Sequence, residues 1–310
     1  MTGRSSKEPC VAAPGKLLLT GAYAVLEGAP AIVVAVDRYA RVDASRPAEA
    51  PTREVAEALG EHAPHFDASA LYHEGSKLGL GSSAAVLVAS LGADAAKKGA
   101  DLSDPDVRSK IFWRARDAHA RVQGGGSGVD VAASTYGGVL RYSLHAGKPW
   151  ILHSRFPDDL VLSVWFSGSS ARTSDLLAQV EELRATDPDA HRRQMIAVGA
   201  AAENAAEKFE GGSLREFVVA ARAVGASLEG LGDAADANIV PLAFKRLAVA
   251  AQEEDAAFLP SGAGGGDVGI FLGTAKPTES FIKRAAALGM HAIELGLDHR
   301  GVRVTTLDTN

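Results

Sequence analysis

The residues Lys77-Leu-Gly-Leu-Gly-Ser-Ser-Ala-Ala85 form a glycine-serine loop that runs directly into an apolar, helix-forming stretch. Gly79 and Gly81 free the backbone to wrap closely around an anion, and Ser82 is expected to cap the helix that follows. Such a helix opens with N–H groups that have no intrahelical partner and with the positive end of its dipole, which together attract phosphate. The same composition also makes plain turns, so the loop acquires meaning only from what surrounds it.

Two other phosphate-binding patterns are excluded. No GxxxxGK[ST] string occurs, because Lys16 and Lys148 follow glycines but precede Leu17 and Pro149. Gly79-x-Gly81-x-x-Ala84 mimics a dinucleotide fingerprint. That fingerprint should follow a buried apolar strand, and here Glu74-Gly-Ser-Lys77 precedes it.

Two further glycine-rich loops, Gln123–Asp130 and Ser261–Asp267, flank strand-like or helix-like segments, and three such loops suggest a site lined with backbone donors. The third is too rich in glycine for a simple hairpin and implies positive φ or close approach to a ligand, a flexible linker being the alternative. Asp130, between glycines and an apolar segment, needs a cationic partner if buried, although a helix cap would also explain it. Lys16, in the Pro14-Gly15-Lys16 corner, is the candidate partner; a solvated strand end is the alternative. The nine histidines show no zinc spacing, and His119 reads as an ordinary helical residue.

The elements that must hold these residues can be read in outline. Leu17–Leu19, Ala31–Val36 and Tyr39–Ala44 read as strands, and 46–70 as a surface excursion with a short helix near Arg53–Leu59. The helix after Ser83 is apolar on nearly every side and stops at Lys97-Lys98-Gly99; Asp104-Pro105 starts another that reaches about Val122. A strand near Leu160–Phe166 opens a second half. Helices follow at Thr173–Thr186, Pro188–Phe209, Leu214–Leu228 and Val240–Glu253, then a strand at Val268–Leu272, a helix at Pro277–Leu288 and two short strands. The expectation is an α+β chain of two domains, 1–155 and 156–310.

With 310 residues, 46% hydrophobic and 23% charged, the composition is that of a soluble globular enzyme. A net charge of −6 without a basic block argues against nucleic acid and anionic membrane as partners. A lone cysteine, Cys10, permits no internal disulfide and suits a reducing cytoplasm. Residues 1–9 are polar with no apolar signal core, and no apolar run approaches the roughly 20 residues a membrane helix needs.

Three motifs now carry a resemblance to the GHMP kinase family: Ala13-Pro-Gly-Lys-Leu-Leu-Leu-Thr-Gly21, Lys77–Ala85, and Pro260-Ser-Gly-Ala-Gly-Gly-Gly-Asp267. Within the family, four details resemble its phosphomevalonate kinase branch. They are Gly21-Ala-Tyr-Ala-Val-Leu26; Ser127-Gly-Val-Asp-Val-Ala-Ala133 with Tyr136-Gly137; Trp165-Phe-Ser-Gly168 with Ala171-Arg-Thr-Ser174; and Asp267, where mevalonate kinases usually carry glycine. Ala22 and Leu259 depart from the pattern, standing where a glutamate and a lysine are frequent.

The resemblance implies a ribosomal-protein-S5-like N-terminal domain that binds ATP and a ferredoxin-like C-terminal domain, with the site between them. It implies ATP phosphates on Gly79, Leu80, Gly81, Ser82, Ser83 and Ala84, Mg²⁺ near Ser83, and a catalytic pair, Lys16 and Asp130. Tyr23, Lys77, Ser127, Arg172, Ser261, Gly264, Gly265 and Asp267 would line the acceptor side with that pair. The implied activity is ATP-dependent phosphorylation of phosphomevalonate by a monomer or homodimer acting on small molecules. Phosphorylation of mevalonate is the neighbouring reading, and a non-catalytic metabolite sensor is the reading from another class. Retention of both Lys16 and Asp130 argues against the sensor.

Overall fold

The computed structural model describes residues 10–169 and 172–305; residues 1–9, 170–171 and 306–310, Ala171 of the sequence reading among them, lie outside the described residues. The first half runs β1 (Cys10–Thr20), a 3₁₀ turn at Ala24–Glu27, β2 (Ala31–Pro47), α1 (Arg53–Leu59), a 3₁₀ turn at Gly60–His62, β3 (Pro64–Asp67), a third 3₁₀ turn at Ser69–Leu71, and the short pair β4 (Tyr72–His73) and β5 (Ser76–Lys77). It continues with α2 (Ser82–Lys97), α3 (Pro105–Gln123), α4 (Val129–Tyr136), β6 (Val139–His145) and β7 (Lys148–Ser154). The second half holds β8 (Val161–Phe166), α5 (Thr173–Thr186), α6 (Pro188–Gly211), α7 (Leu214–Ala234) and α8 (Leu242–Glu253). After these come β9 (Ala257–Pro260), β10 (Val268–Gly273), α9 (Glu279–Ala287), β11 (His291–Ile293) and β12 (Arg303–Thr305).

Two antiparallel sheets organise the chain. One has the order β12-β1-β2-β6-β7, with β3 also on β2; the other has the order β11-β8-β10-β9. The last described strand therefore returns to the first sheet, pairing Cys10 with Thr305. The hairpin β6–β7 is an addition to the elements expected from sequence, although Leu140, Tyr142 and Leu144 alternate along β6 as a half-buried strand requires.

α2 is the buried axis of the first half. Its run Ala84–Ala93 is almost wholly inaccessible, as its apolar sequence demands. Gly92 lets Val11 and Val302 close on the helix: a β-carbon there would lie 2.8 Å from Val302. No described helix is long and apolar enough to cross a membrane.

Candidate active site

Lys16 enters the site because β1 is irregular at that point. The register against β2 shifts between Pro14 and Gly15, and a β-carbon on Gly15 would come 2.8 Å from the Leu80 carbonyl oxygen. Glycine therefore allows the loop before α2 to lie on the strand. Once there, the Lys16 backbone N–H donates to the Leu80 oxygen at 2.9 Å, and Lys16 Nζ donates to the Gly79 oxygen at 3.2 Å.

The start of α2 corrects one expectation. Gly81, in the left-handed region at φ 74°, occupies the N-cap, and Ser82 is the first helical residue, buried rather than capping. No side chain caps this helix. A side chain at position 81 would crowd its neighbours: a β-carbon there would stand 3.1 Å from Lys16 Cγ and 3.5 Å from Asp130 Cβ. Ser83 is engaged sideways: its Oγ donates to Glu54 Oε1 at 2.6 Å, and Gln123 Nε2 donates to the same oxygen at 2.7 Å.

Asp130 lies in the first turn of α4 rather than in a loop, and its Oδ1 accepts the Val131 N–H at 2.9 Å. α4 is pinned to β1 by Ser134 Oγ donating to the Pro14 oxygen at 2.8 Å, which fixes Asp130 opposite Lys16. His119 Nε2 is 3.8 Å from Asp130 Oδ2, so a histidine that reads as ordinary in the sequence faces the candidate carboxylate. Ser127, ahead of α4, accepts the Val129 N–H on its hydroxyl, and its carbonyl accepts a short hydrogen bond from Tyr142.

The third loop closes the far side. Asp267, a non-glycine residue at φ 54°, leans over Gly79: a β-carbon there would meet Asp267 Cβ, Cγ and Oδ2 at 2.6–2.8 Å. Gly262 also approaches, since a β-carbon on it would lie 3.7 Å from Lys16 Nζ. Tyr23, buried at φ 61°, donates from its hydroxyl to the Ala263 oxygen at 2.7 Å, and Ser261 Oγ accepts the Leu18 N–H at 3.0 Å. These two bonds fasten the first and third motifs together. Gly264 has no room for a side chain, because a β-carbon would fall 2.0 Å from the Ile239 oxygen, and Gly265 donates its N–H to that same oxygen at 3.0 Å.

Electrostatics follow from this enclosure. Desolvation pulls the Lys16 ammonium below the ordinary lysine range, and the charges of Asp130 and then Asp267 push it partly back. Burial raises the Glu54 carboxyl, but hydrogen bonds led by Ser83 outweigh it and hold the group below its ordinary value, as an anion at neutral pH.

Of the remaining expected residues, Lys77 is exposed on β5; the ring of its hairpin neighbour His73 packs edge-on against Phe166 at 5.7 Å. Arg172 is exposed at the N-cap of α5, three residues beyond Ser169, whose carbonyl accepts the Asp267 N–H at 2.7 Å. Leu80 and Ala84 are buried beneath the loop. Glu54 and Gln123 carry no signal in the sequence. A carboxylate on a short helix has no motif, and only the packing of α1 against α3 makes it inward-facing.

The architecture is that of a two-domain kinase fold. A phosphomevalonate kinase structure from Streptococcus pneumoniae, in complex with phosphomevalonate and AMPPNP, superposes with a TM-score of 0.78 at 20% identity over 93% of this chain and 99% of that one. The Lin0012 protein from Listeria innocua superposes with a TM-score of 0.82 at 24% identity over 96% and 99%. In sequence, the family described as GHMP kinases N terminal domain matches residues 52–138. A phosphomevalonate kinase from Streptomyces sp. (strain CL190) is 30% identical over 84% of this chain and 88% of its own length. A mevalonate kinase from Archaeoglobus fulgidus is 28% identical over 87% and 94%. The chain belongs to the GHMP kinase family and is a phosphotransferase.

Proposed function

We propose that this enzyme transfers the terminal phosphoryl group of ATP to the phosphate of phosphomevalonate, giving the diphosphate used for isoprenoid precursors. The observation that carries the chemistry is the desolvated Lys16 ammonium, facing two carboxylates at the uncapped mouth of α2. The identity to the Streptomyces phosphomevalonate kinase and the presence of Asp267 support the choice of acceptor.

The roles follow from the groups. The first-turn amides of α2, at Ser82, Ser83 and Ala84, hold the nucleotide phosphates with the Gly79–Gly81 backbone folded around them. Lys16 neutralises charge on the transferring group, which matters because phosphoryl transfer depends on positioning and charge more than on covalent help. A phosphate monoester has a second pKa near about 6 and is mostly dianionic at neutral pH, so its oxygen needs no base. Asp130 therefore serves to orient Lys16. Arg172 and Lys77 are the cations we assign to the acceptor phosphate, Arg172 through its bidentate fork.

The residues present suit Mg²⁺. The Ser83 hydroxyl is a hard oxygen donor at the helix mouth, and the Glu54 carboxylate it donates to places a negative charge behind it. Among the described residues no group of three or more His, Cys, Asp or Glu side chains forms an all-protein cage. That pairing matches an ion carried mainly by substrate phosphates. When bound, Mg²⁺ screens the phosphate charges.

Likeness to the Archaeoglobus mevalonate kinase favours one alternative, a hydroxyl acceptor with Asp130 as general base. A coupled ADP-release assay with phosphomevalonate and mevalonate side by side separates the two. The proposal expects turnover with phosphomevalonate to dominate, and equal or greater turnover with mevalonate overturns it.

A further inference from the structure

A serine hydroxyl has one hydrogen and two acceptor positions. In this enzyme the Ser83 hydrogen is spent on Glu54 Oε1 at 2.6 Å, and Gln123 Nε2 holds the same carboxylate oxygen from the other side at 2.7 Å. Glu54 is only 5% exposed, so water does not compete freely for it. The Ser83 oxygen can then present only lone pairs to whatever occupies the mouth of α2. Lone pairs attract a cation and repel a phosphate oxygen. The anionic charge behind Ser83 acts in the same sense, and it acts strongly because it is out of bulk water.

We propose that Glu54 is a positioning residue that fixes the Ser83 hydroxyl as an acceptor, so that Ser83 binds the divalent cation and does not donate to a nucleotide phosphate. The inference rests on the nucleotide site proposed above. It gives α1, part of a segment that reads as a surface excursion, a direct bearing on the reaction. Gln123, at the end of α3, keeps the carboxylate turned toward Ser83.

The experiment uses Mn²⁺ as the probe cation, followed by electron paramagnetic resonance in the enzyme–ADP complex, with metal-free ADP affinity measured separately by calorimetry. Glu54→Gln keeps the size of the side chain and removes its charge. It should raise the Mn²⁺ dissociation constant about tenfold or more, the scale seen when the partner of a metal ligand is lost. Metal-free ADP affinity should hold or tighten, which a general loosening of the fold would not produce. Unchanged Mn²⁺ affinity in Glu54→Gln overturns the inference while leaving the nucleotide site standing. Wild-type enzyme that binds neither ADP nor Mn²⁺-ADP overturns the nucleotide site and the inference together. Ser83→Cys supplies a readout that leaves Glu54 in place: it should shift cation preference from Mn²⁺ toward Cd²⁺, and an unaltered preference overturns the assignment.

Discussion

The loop before α2 and the loop between β9 and β10 are both dense in glycine, yet they use it for opposite ends. Before α2, Gly81 at φ 74° starts a helix with no capping side chain, so no side chain occupies its first-turn amides. Between β9 and β10 three of the amides are already taken: Ser261 donates to Val268, Gly265 to Ile239 and Asp267 to Ser169. There the glycines answer to clearance, most severely at Gly264, where a β-carbon would stand 2.0 Å from a carbonyl oxygen. One loop presents donors; the other threads a chain through a tight place and brings Asp267 to Lys16. Glycine content alone does not distinguish them. The next element along the chain does, since one loop runs into a helix start and the other into a strand.

The contrast can be broken by substitution. The largest expected effect is at the residue both loops surround. Lys16→Met should lower turnover with phosphomevalonate about 10³-fold, and Asp130→Asn only about 10²-fold, because the cation acts on the transferring group and the carboxylate acts through the cation. Steady-state kinetics on both variants decide the order. If Asp130→Asn is the more damaging and its rate follows a single carboxylate pKa, Asp130 is a base and a hydroxyl acceptor becomes the better reading.

Gly264→Ala should chiefly cost stability. A positive φ of 83° and a backbone collision together amount to about 3 kcal/mol or more, visible as a lower thermal midpoint and reduced soluble yield. A variant as stable as the parent would show that this loop is not a tight clasp.

Asp267→Asn should have the smallest effect, and on pH dependence. Activity that needs the Lys16 ammonium declines as pH rises through its pKa. Asp267 raises that pKa, so removing its charge should move the alkaline limb of kcat/KM to lower pH. An unmoved limb would mean that Asp267 does not act on Lys16 in the working enzyme.

The features legible in the sequence are those that local backbone chemistry imposes. Gly79, Gly81 and Gly264 mark backbone conformations or approaches that other residues resist, and Lys16 stands out as a cation leading an apolar strand. The helix starts at Asp104-Pro105 and Pro188 are legible for the same reason, since caps and N1 prolines are local signals. Asp130 is visible as a candidate, but its local setting is not: with only eight residues between two glycines, α4 shows too few turns for a helical period to emerge. Glu54, Gln123 and His119 stay hidden, because their relevance comes from α1, α2, α3 and α4 meeting in space. Ser82 misleads because serine before an apolar run suggests a cap, whereas here the chain enters the helix from a left-handed glycine.

The central claim is that the uncapped start of α2 holds the nucleotide phosphates, and Gly81→Ala tests it most directly. The left-handed backbone should cost roughly 1–2 kcal/mol, and the nearest obstruction, the Lys16 side chain, can move aside, so the fold should survive. Calorimetric titration with a non-hydrolysable ATP analogue and Mg²⁺ should then show affinity weakened by about tenfold or more, as the amides and Lys16 lose their alignment. Nucleotide affinity equal to that of the parent in a folded Gly81→Ala protein would contradict the account.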